Sequence, residues 1–131
     1  MSRPPAMTLP DVLAFLDLTD DLGIVAWLSG SWGAQAHDGI VREHDDLDLF
    51  LEARHAATIA QHLGLRGFTA DRLAPWHVRY TDSHGRTIDV RFFERDATTV
   101  THGPDERWPA SALDGYGLLG ERAVRVVVPR R

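Results

Sequence analysis

The sequence predicts an α+β fold: a single domain with a mixed, twisted sheet of about four or five strands and helices packed mainly on one face. Three observations lead there. Residues 46–52, 76–82 and 86–93 alternate apolar and polar side chains, the period of a half-buried strand. Residues following Thr8 and residues 54–63 place apolar side chains at helical spacing instead. Finally, 131 residues with 44% hydrophobic and 25% charged content suffice for one core and not comfortably for two. The domain is therefore taken as 1–131, with its core in 8–128.

Each element has a local reason. Thr8 is an N-cap, Pro10 fits the first turn, and Asp11 suits the positive end of the helix dipole. Val12, Leu13, Phe15, Leu16 and Leu22 form the inward stripe, and Gly23 is the stop. Residues 24–28 read as a short buried strand. Ser29-Gly30-Ser31 then turns into a short helix over 32–38 that ends at Gly39. Residues 46–52 form the second strand. Residues 54–63 make an amphipathic helix with Ala57, Ile59, Ala60 and Leu63 inward and Gly64 as its end. Between Leu65 and Pro75 the pattern is irregular, with Phe68 and Leu73 expected to cap the core. Asp82-Ser83-His84-Gly85 turns a hairpin between the strands at 76–82 and 86–93. The stretch 94–120 is rich in Gly, Pro and Asp and reads as a long loop held by Trp108, Leu113 and Tyr116. Residues 122–128 alternate again and form the last strand.

Composition narrows the function. A formal charge of −5 argues against general affinity for nucleic-acid backbones. No apolar run approaches the roughly 20 residues that span a bilayer, and the N-terminus has no apolar signal region. A cytoplasmic location is the expectation. Cysteine is absent, which removes thiolate ligands and nucleophiles. All 14 basic residues are Arg, so lysine Schiff-base and P-loop chemistry are excluded and arginines must make any phosphate contacts.

The chemistry concentrates between Ser29 and Glu52. On the strand at 46–52, Leu47, Leu49 and Leu51 face one way and Asp46, Asp48 and Phe50 the other. Carboxylates two residues apart on one strand face lie roughly 6.5–7 Å apart at Cα. Such neighbours raise each other's pKa unless a divalent metal resolves the conflict, and hard cations favour oxygen ligands. Asp89 sits mid-strand between apolar neighbours, against β-propensity, which marks a functional position or a partner for Arg79 or Arg91. Gly30-Ser31 lies between a strand and a helix N-terminus. Free N–H groups and the helix dipole there favour an anion, and the Ser31 hydroxyl adds a donor. The structural alternative is that Ser31 is only an N-cap.

Taken together, Gly30-Ser31, Asp46-x-Asp48 and Asp89 resemble the nucleotidyltransferase superfamily to which DNA polymerase beta belongs. The wording is closer to the small antibiotic nucleotidyltransferases of the aminoglycoside 2″-adenylyltransferase and lincosamide type. Trp32-Gly33 resembles that group's glycine-tryptophan turn, and Arg42-Glu43-His44-Asp45-Asp46-Leu47-Asp48 its R-x-H-x-D-x-D strand entry. His84-Gly85-Arg86-Thr87-Ile88-Asp89-Val90 resembles its third-carboxylate strand, and Gly120-Glu121-Arg122-Ala123-Val124-Arg125 its late G-x-x-V-R strand. The resemblance spans about Leu13 to Val128. It implies that Asp46, Asp48 and Asp89 hold Mg²⁺, as two ions, and that Asp89 also accepts the proton of the attacking hydroxyl. It further implies that Gly30 and Ser31 hold the phosphates of an NTP, while Arg42 and His44 steady the strand entry or reach a phosphate. The resembling enzymes usually continue into helices that wall the site. A second subunit, in a homodimer, is one expected substitute for that layer.

The expected function is Mg²⁺-dependent transfer of an NMP from an NTP to a hydroxyl of a small molecule, aminoglycoside-like or another secondary metabolite. Two alternatives stay open. One is a minimal domain of this fold that binds a partner, as antitoxin-like members do. The other is the same fold and triad used for nucleotide-independent chemistry on a biosynthetic intermediate.

Overall fold

The computed structural model describes residues 7–42 and 44–128. Readings that fall on residues 1–6, Glu43 and residues 129–131 lie outside the described residues.

Helix α1 (Leu9–Asp21) opens on a complete capping box: Asp11 N–H donates to Thr8 Oγ1 and Thr8 N–H donates to Asp11 Oδ2. Strand β1 (Trp27–Ser29) follows, later than the expected 24–28. The reason is that Ile24 N–H still bonds back to Thr19 O, closing the helix before the chain extends. Helix α2 (Gly30–Asp38) begins directly at the glycine of the turn. After it come β2 (Leu47–Glu52) and α3 (Ala56–Leu65). Gly64 does not end α3; the turn falls at Gly67, where φ is +86°.

The remaining chain is richer in strands than its pattern suggested: β3 (Thr69–Ala74), β4 (His77–Thr81), β5 (Thr87–Arg95), β6 (Thr99–His102), β7 (Glu106–Pro109), β8 (Gly115–Leu119) and β9 (Arg122–Val126). The sheet is mixed and nine-stranded, in the order β3-β4-β5-β2-β1-β9-β8, with β6 pairing β5 and β7 pairing β6. The expected four or five strands fall short because β3 is a solvent-exposed edge strand without apolar alternation, and because 94–120 is not a loop. Leu73, expected over the core, is 45% exposed on β3, whereas Phe68 does pack against it.

Alternation along the strands divides the molecule into two layers. Leu28, Leu47, Leu49, Leu51, Val78, Ile88, Val90 and Phe92 enter the core beneath α1, α2 and α3 with Val12, Phe15, Leu16, Trp32, Ile59 and Leu63. Burying each aliphatic side chain there stabilises the fold by about 1.5–3 kcal/mol. The intervening residues Trp27, Phe50 and Phe93 enter a second cluster with Val100, Trp108, Ala112 and Leu113. The 99–113 stretch therefore supplies a packed wall of its own on the face away from the helices. Trp27 Nε1 fastens it by donating to Leu113 O at 2.9 Å. Tyr116, expected to hold this region, is instead 58% exposed.

Candidate active site

The candidate site lies around the start of β2. Ser29 on β1 lies opposite Asp48 on antiparallel β2, and Asp48 lies opposite Asp89 on parallel β5. Asp46 precedes β2 by one residue. Ligand oxygens of Asp46, Asp48 and Asp89 all lie within 4.8 Å of one another. Asp46 and Asp48 are half-buried and Asp89 is buried.

Electrostatics make this arrangement costly for the chain alone. Burial, then the charges of Asp46 and Asp89, push the Asp48 carboxyl up to about 6. Burial and Asp89 raise Asp46 as well. Two arginines relieve part of the repulsion. Arg79 Nη2 donates to Asp89 Oδ2 at 3.1 Å, and Arg91 Nη1 stands 3.7 Å from Asp48 Oδ1. His77 Nε2 contacts the other Asp89 oxygen. The donor set is three carboxylates without a nitrogen or sulfur ligand, which fits a hard divalent cation such as Mg²⁺.

Beside the carboxylates stands the turn into α2. Gly30 has φ +60°, and a Cβ built on it would meet Asp48 Oδ2 at 2.2 Å. Only glycine allows both the left-handed backbone and this approach. Gly33, one turn on, brings α2 against β1, since a Cβ there would lie 3.0 Å from the Leu28 carbonyl. The N-cap of α2 is Ser29, not Ser31. Ser31 Oγ is instead 2.8 Å from His44 Nδ1, and His44 Nε2 is 2.7 Å from Gln35 Oε1. The His44 ring stacks on Trp32 with centroids 3.5 Å apart. Burial and the nearby Arg42 charge lower the His44 pKa, favouring the neutral ring. Arg42 is engaged with its own neighbours: its guanidinium forks onto Asp38 at 2.9 and 2.6 Å and reaches Ile40 O.

The sequence profile described as aminoglycoside-2″-adenylyltransferase matches residues 11–130. The chain belongs to the aminoglycoside-2″-adenylyltransferase family. Its members are antibiotic nucleotidyltransferases, so membership places this chain among enzymes. No curated protein matches the sequence. Among solved structures, the lincosamide antibiotic adenylyltransferase LnuA with bound lincomycin is similar with a TM-score of 0.82 and 20% identity, over 92% of this chain and 80% of that one. ANT(2″)-Ia in complex with adenylyl-2″-tobramycin gives 0.75 and 18%, over 91% of this chain and 68% of that one. The solution structure of ANT(2″)-Ia gives 0.71 and 17%, and there this chain spans 64% of the other's length. At such identities the likeness establishes the shared fold.

Within the family fold, this chain brings Asp46, Asp48, Asp89 and Gly30 together, with Ser31 and His44 beside them. Arg42 is engaged elsewhere. Sequence reasoning missed His77 and Gln35. Both had a signal. Counting outward from the Asp82–Gly85 turn pairs Thr81 with Thr87, which sets Arg79 against Asp89 and His77 on the same strand face. Gln35 lies at i+4 from Ser31 on α2, on the same side of that helix.

Proposed function

We propose that this chain transfers a nucleoside monophosphate from an NTP to a hydroxyl of a small antibiotic-like molecule, in a Mg²⁺-dependent reaction. The observation that carries the reading is the convergence of Asp46, Asp48 and Asp89 beside the Gly30 turn. These three carboxylates would hold two Mg²⁺ ions. Bound there, Mg²⁺ would offset their mutual repulsion and the charge of a triphosphate in an in-line displacement.

The protein's own groups account for the rest. The first turn of α2 offers N–H groups and a positive dipole end to the triphosphate. Asp89 accepts the proton of the acceptor hydroxyl as that oxygen bonds to the α-phosphorus and the bond to pyrophosphate breaks. His77 orients the Asp89 carboxylate through one oxygen, while Arg79 holds the oxygen that a metal would need. The wall built from residues 99–113 packs on Phe50 and Phe93, further along β2 and β5 than Asp48 and Asp89. All three carboxylates are kept and converge, which favours catalysis over a role limited to binding a partner.

The test is calorimetry with Mg²⁺ and each of ATP, GTP, CTP and UTP, together with pyrophosphate release in the presence of aminoglycoside and lincosamide acceptors. Binding of at least one Mg·NTP, and turnover that vanishes in Asp46→Asn and Asp48→Asn, supports the reading. Absence of Mg·NTP binding by the folded, unaltered chain overturns it.

A further inference from the structure

The contacts around Gln35 set the direction of a hydrogen-bond chain. Gln35 Oε1 receives the backbone N–H of Arg42 at 3.1 Å. An amide N–H can only donate, so this contact fixes which end of the carboxamide faces the cluster. The same oxygen lies 2.7 Å from His44 Nε2. Nε2 therefore carries the ring hydrogen and donates it to Gln35. In a neutral imidazole the other nitrogen is then bare. Ser31 Oγ, 2.8 Å from that Nδ1, must donate its hydrogen to it.

The chain thus runs one way, from Ser31 to His44 to Gln35, with the Arg42 amide closing on the same oxygen. Each member is held. His44 is 8% exposed and its ring lies nearly parallel to that of Trp32, at 13°, and Trp32 is itself 3% exposed. Ser31 and Gln35 belong to one helix, whereas His44 arrives from the segment leading into β2. The chain therefore ties the anion-facing turn to the strand that carries the carboxylates.

We propose that Gln35 is a positioning residue for the nucleotide: through His44 it anchors Ser31, so that the backbone N–H groups of the Gly30-Ser31 turn face the triphosphate at a fixed distance from Asp48. This role rests on the proposed function, and it names a residue outside the carboxylate and glycine-serine motifs. Gln35 does not touch the reacting atoms; it holds the turn in its binding geometry in advance, which lowers the ordering cost of association.

Two variants and one direct observation test it. In Gln35→Leu the acceptor for both the Arg42 amide and His44 Nε2 is gone. Mg·NTP affinity, read by calorimetry with the nucleotide that binds best, is expected to fall about tenfold, the equivalent of one net hydrogen bond. KM for the NTP rises in step, while kcat at saturating nucleotide stays within about threefold, because the reacting groups are untouched. Gln35→Glu keeps an acceptor oxygen at the same reach and is expected to restore affinity. In the unaltered protein, ¹⁵N NMR of the imidazoles is expected to show His44 as the Nε2–H tautomer.

An Nδ1–H tautomer, a Gln35→Leu that binds Mg·NTP like the unaltered chain, or a Gln35→Glu as weak as Gln35→Leu each overturns the role. Should Gln35→Leu fail to fold, the tautomer and the Gln35→Glu affinity decide. Normal binding by the unaltered chain and by Gln35→Leu alike removes this role and leaves the proposed function standing. Failure of the unaltered chain to bind any Mg·NTP removes both.

Discussion

Asp48 and Asp89 are register partners across the parallel pair β2–β5, so the sheet itself holds two carboxylates side by side. A parallel register slipped by one residue would send one of them to the helix-covered face. What fixes the register is the inward set of Leu47, Leu49 and Leu51 against Ile88, Val90 and Phe92, all buried in the main core. Hydrophobic packing on one face thus imposes charge repulsion on the other.

That repulsion predicts an inverse pH dependence of stability in metal-free protein. The Asp48 carboxyl is pushed up to about 6 in the folded state, from an ordinary value of 3.8. Between these values the folded chain binds more protons than the unfolded one, so stability falls as pH rises through this window and stays lowered above it. A two-unit shift corresponds to about 3 kcal/mol. Melting temperature without divalent metal is expected to drop between pH 4 and pH 6, and Mg²⁺ to recover it above pH 6. Asp48→Asn is expected to flatten the profile and to melt higher than the unaltered chain at pH 7 without metal, while losing metal-dependent turnover. Thermal denaturation in matched buffers with and without Mg²⁺ checks this; a profile for Asp48→Asn that falls as far as that of the unaltered chain over the same window excludes Asp48 as its main source.

Gly30 tolerates no side chain for two separate reasons, its φ of +60° and the Asp48 oxygen 2.2 Å from where a Cβ would stand. The left-handed backbone alone costs a non-glycine residue about 1–2 kcal/mol. Gly30→Ala is therefore expected to lose at least that much stability in urea titration. Because the added methyl displaces the Asp48 carboxylate, Mg²⁺ affinity is expected to fall as well. Gly39→Ala supplies the comparison, since Gly39 has φ +76° and open space around its Cβ position. It should show the strain without the loss of metal affinity.

The wall over Phe50 and Phe93 should behave as part of the folded core and not as a loop. Trp108 is 9% exposed, and its ring meets Phe50 at 5.0 Å in an edge arrangement. Removing a buried aromatic side chain costs about 3–5 kcal/mol. Trp108→Ala is expected to lower stability by that amount and to speed amide hydrogen exchange in β6 and β7 ahead of β2 and β5. Exchange in β6 and β7 of the unaltered chain as fast as in an exposed loop would contradict the packing.

How far the sequence foretold this fold depends on where each segment's signal lies. The strands at β2, β4 and β5 were legible because one face of each meets the helices and the other carries charged or polar side chains over most of its length, Phe50 and Phe93 excepted, which keeps the alternation visible. Strand β3 was not legible, because Asp71, Arg72 and Leu73 are exposed on an edge whose only obligation is to pair with β4. The 99–113 wall was hidden for another reason. Its strands are four residues long, too short for a period to emerge, and their partners Trp27 and Phe50 lie far away in sequence. At the site, Asp89 stood out as a violation of strand preference, Asp46 and Asp48 as paired carboxylates on one strand face, and Gly30 as the glycine of a strand-to-helix turn. Arg42 carried no such mark, and its charge is taken up by Asp38, four residues earlier. Gln35 was marked locally only by its i+4 spacing from Ser31; its part follows from the Arg42 amide that reaches it across the turn.

Arg79 offers the sharpest test of whether the acidic cluster is built for a cation. It donates to Asp89 Oδ2 at 3.1 Å, its own pKa is raised by Asp89 and more weakly by Asp46, and its side chain is 44% exposed. An exposed arginine contributes little to stability, on the order of 0–1 kcal/mol. Its positive charge nevertheless occupies a carboxylate oxygen that a metal would need, and it opposes a second cation nearby. Arg79→Gln is therefore expected to leave the melting temperature of metal-loaded protein nearly unchanged. Mg²⁺ affinity in the absence of nucleotide is expected to rise by about three- to tenfold, the size of a partly screened charge interaction. Calorimetric titration with Mg²⁺ at low and high ionic strength checks it, and the gain should shrink with salt. A structural ion pair without a cation site beneath it predicts the opposite pattern: lower stability in Arg79→Gln and no Mg²⁺ binding in either protein.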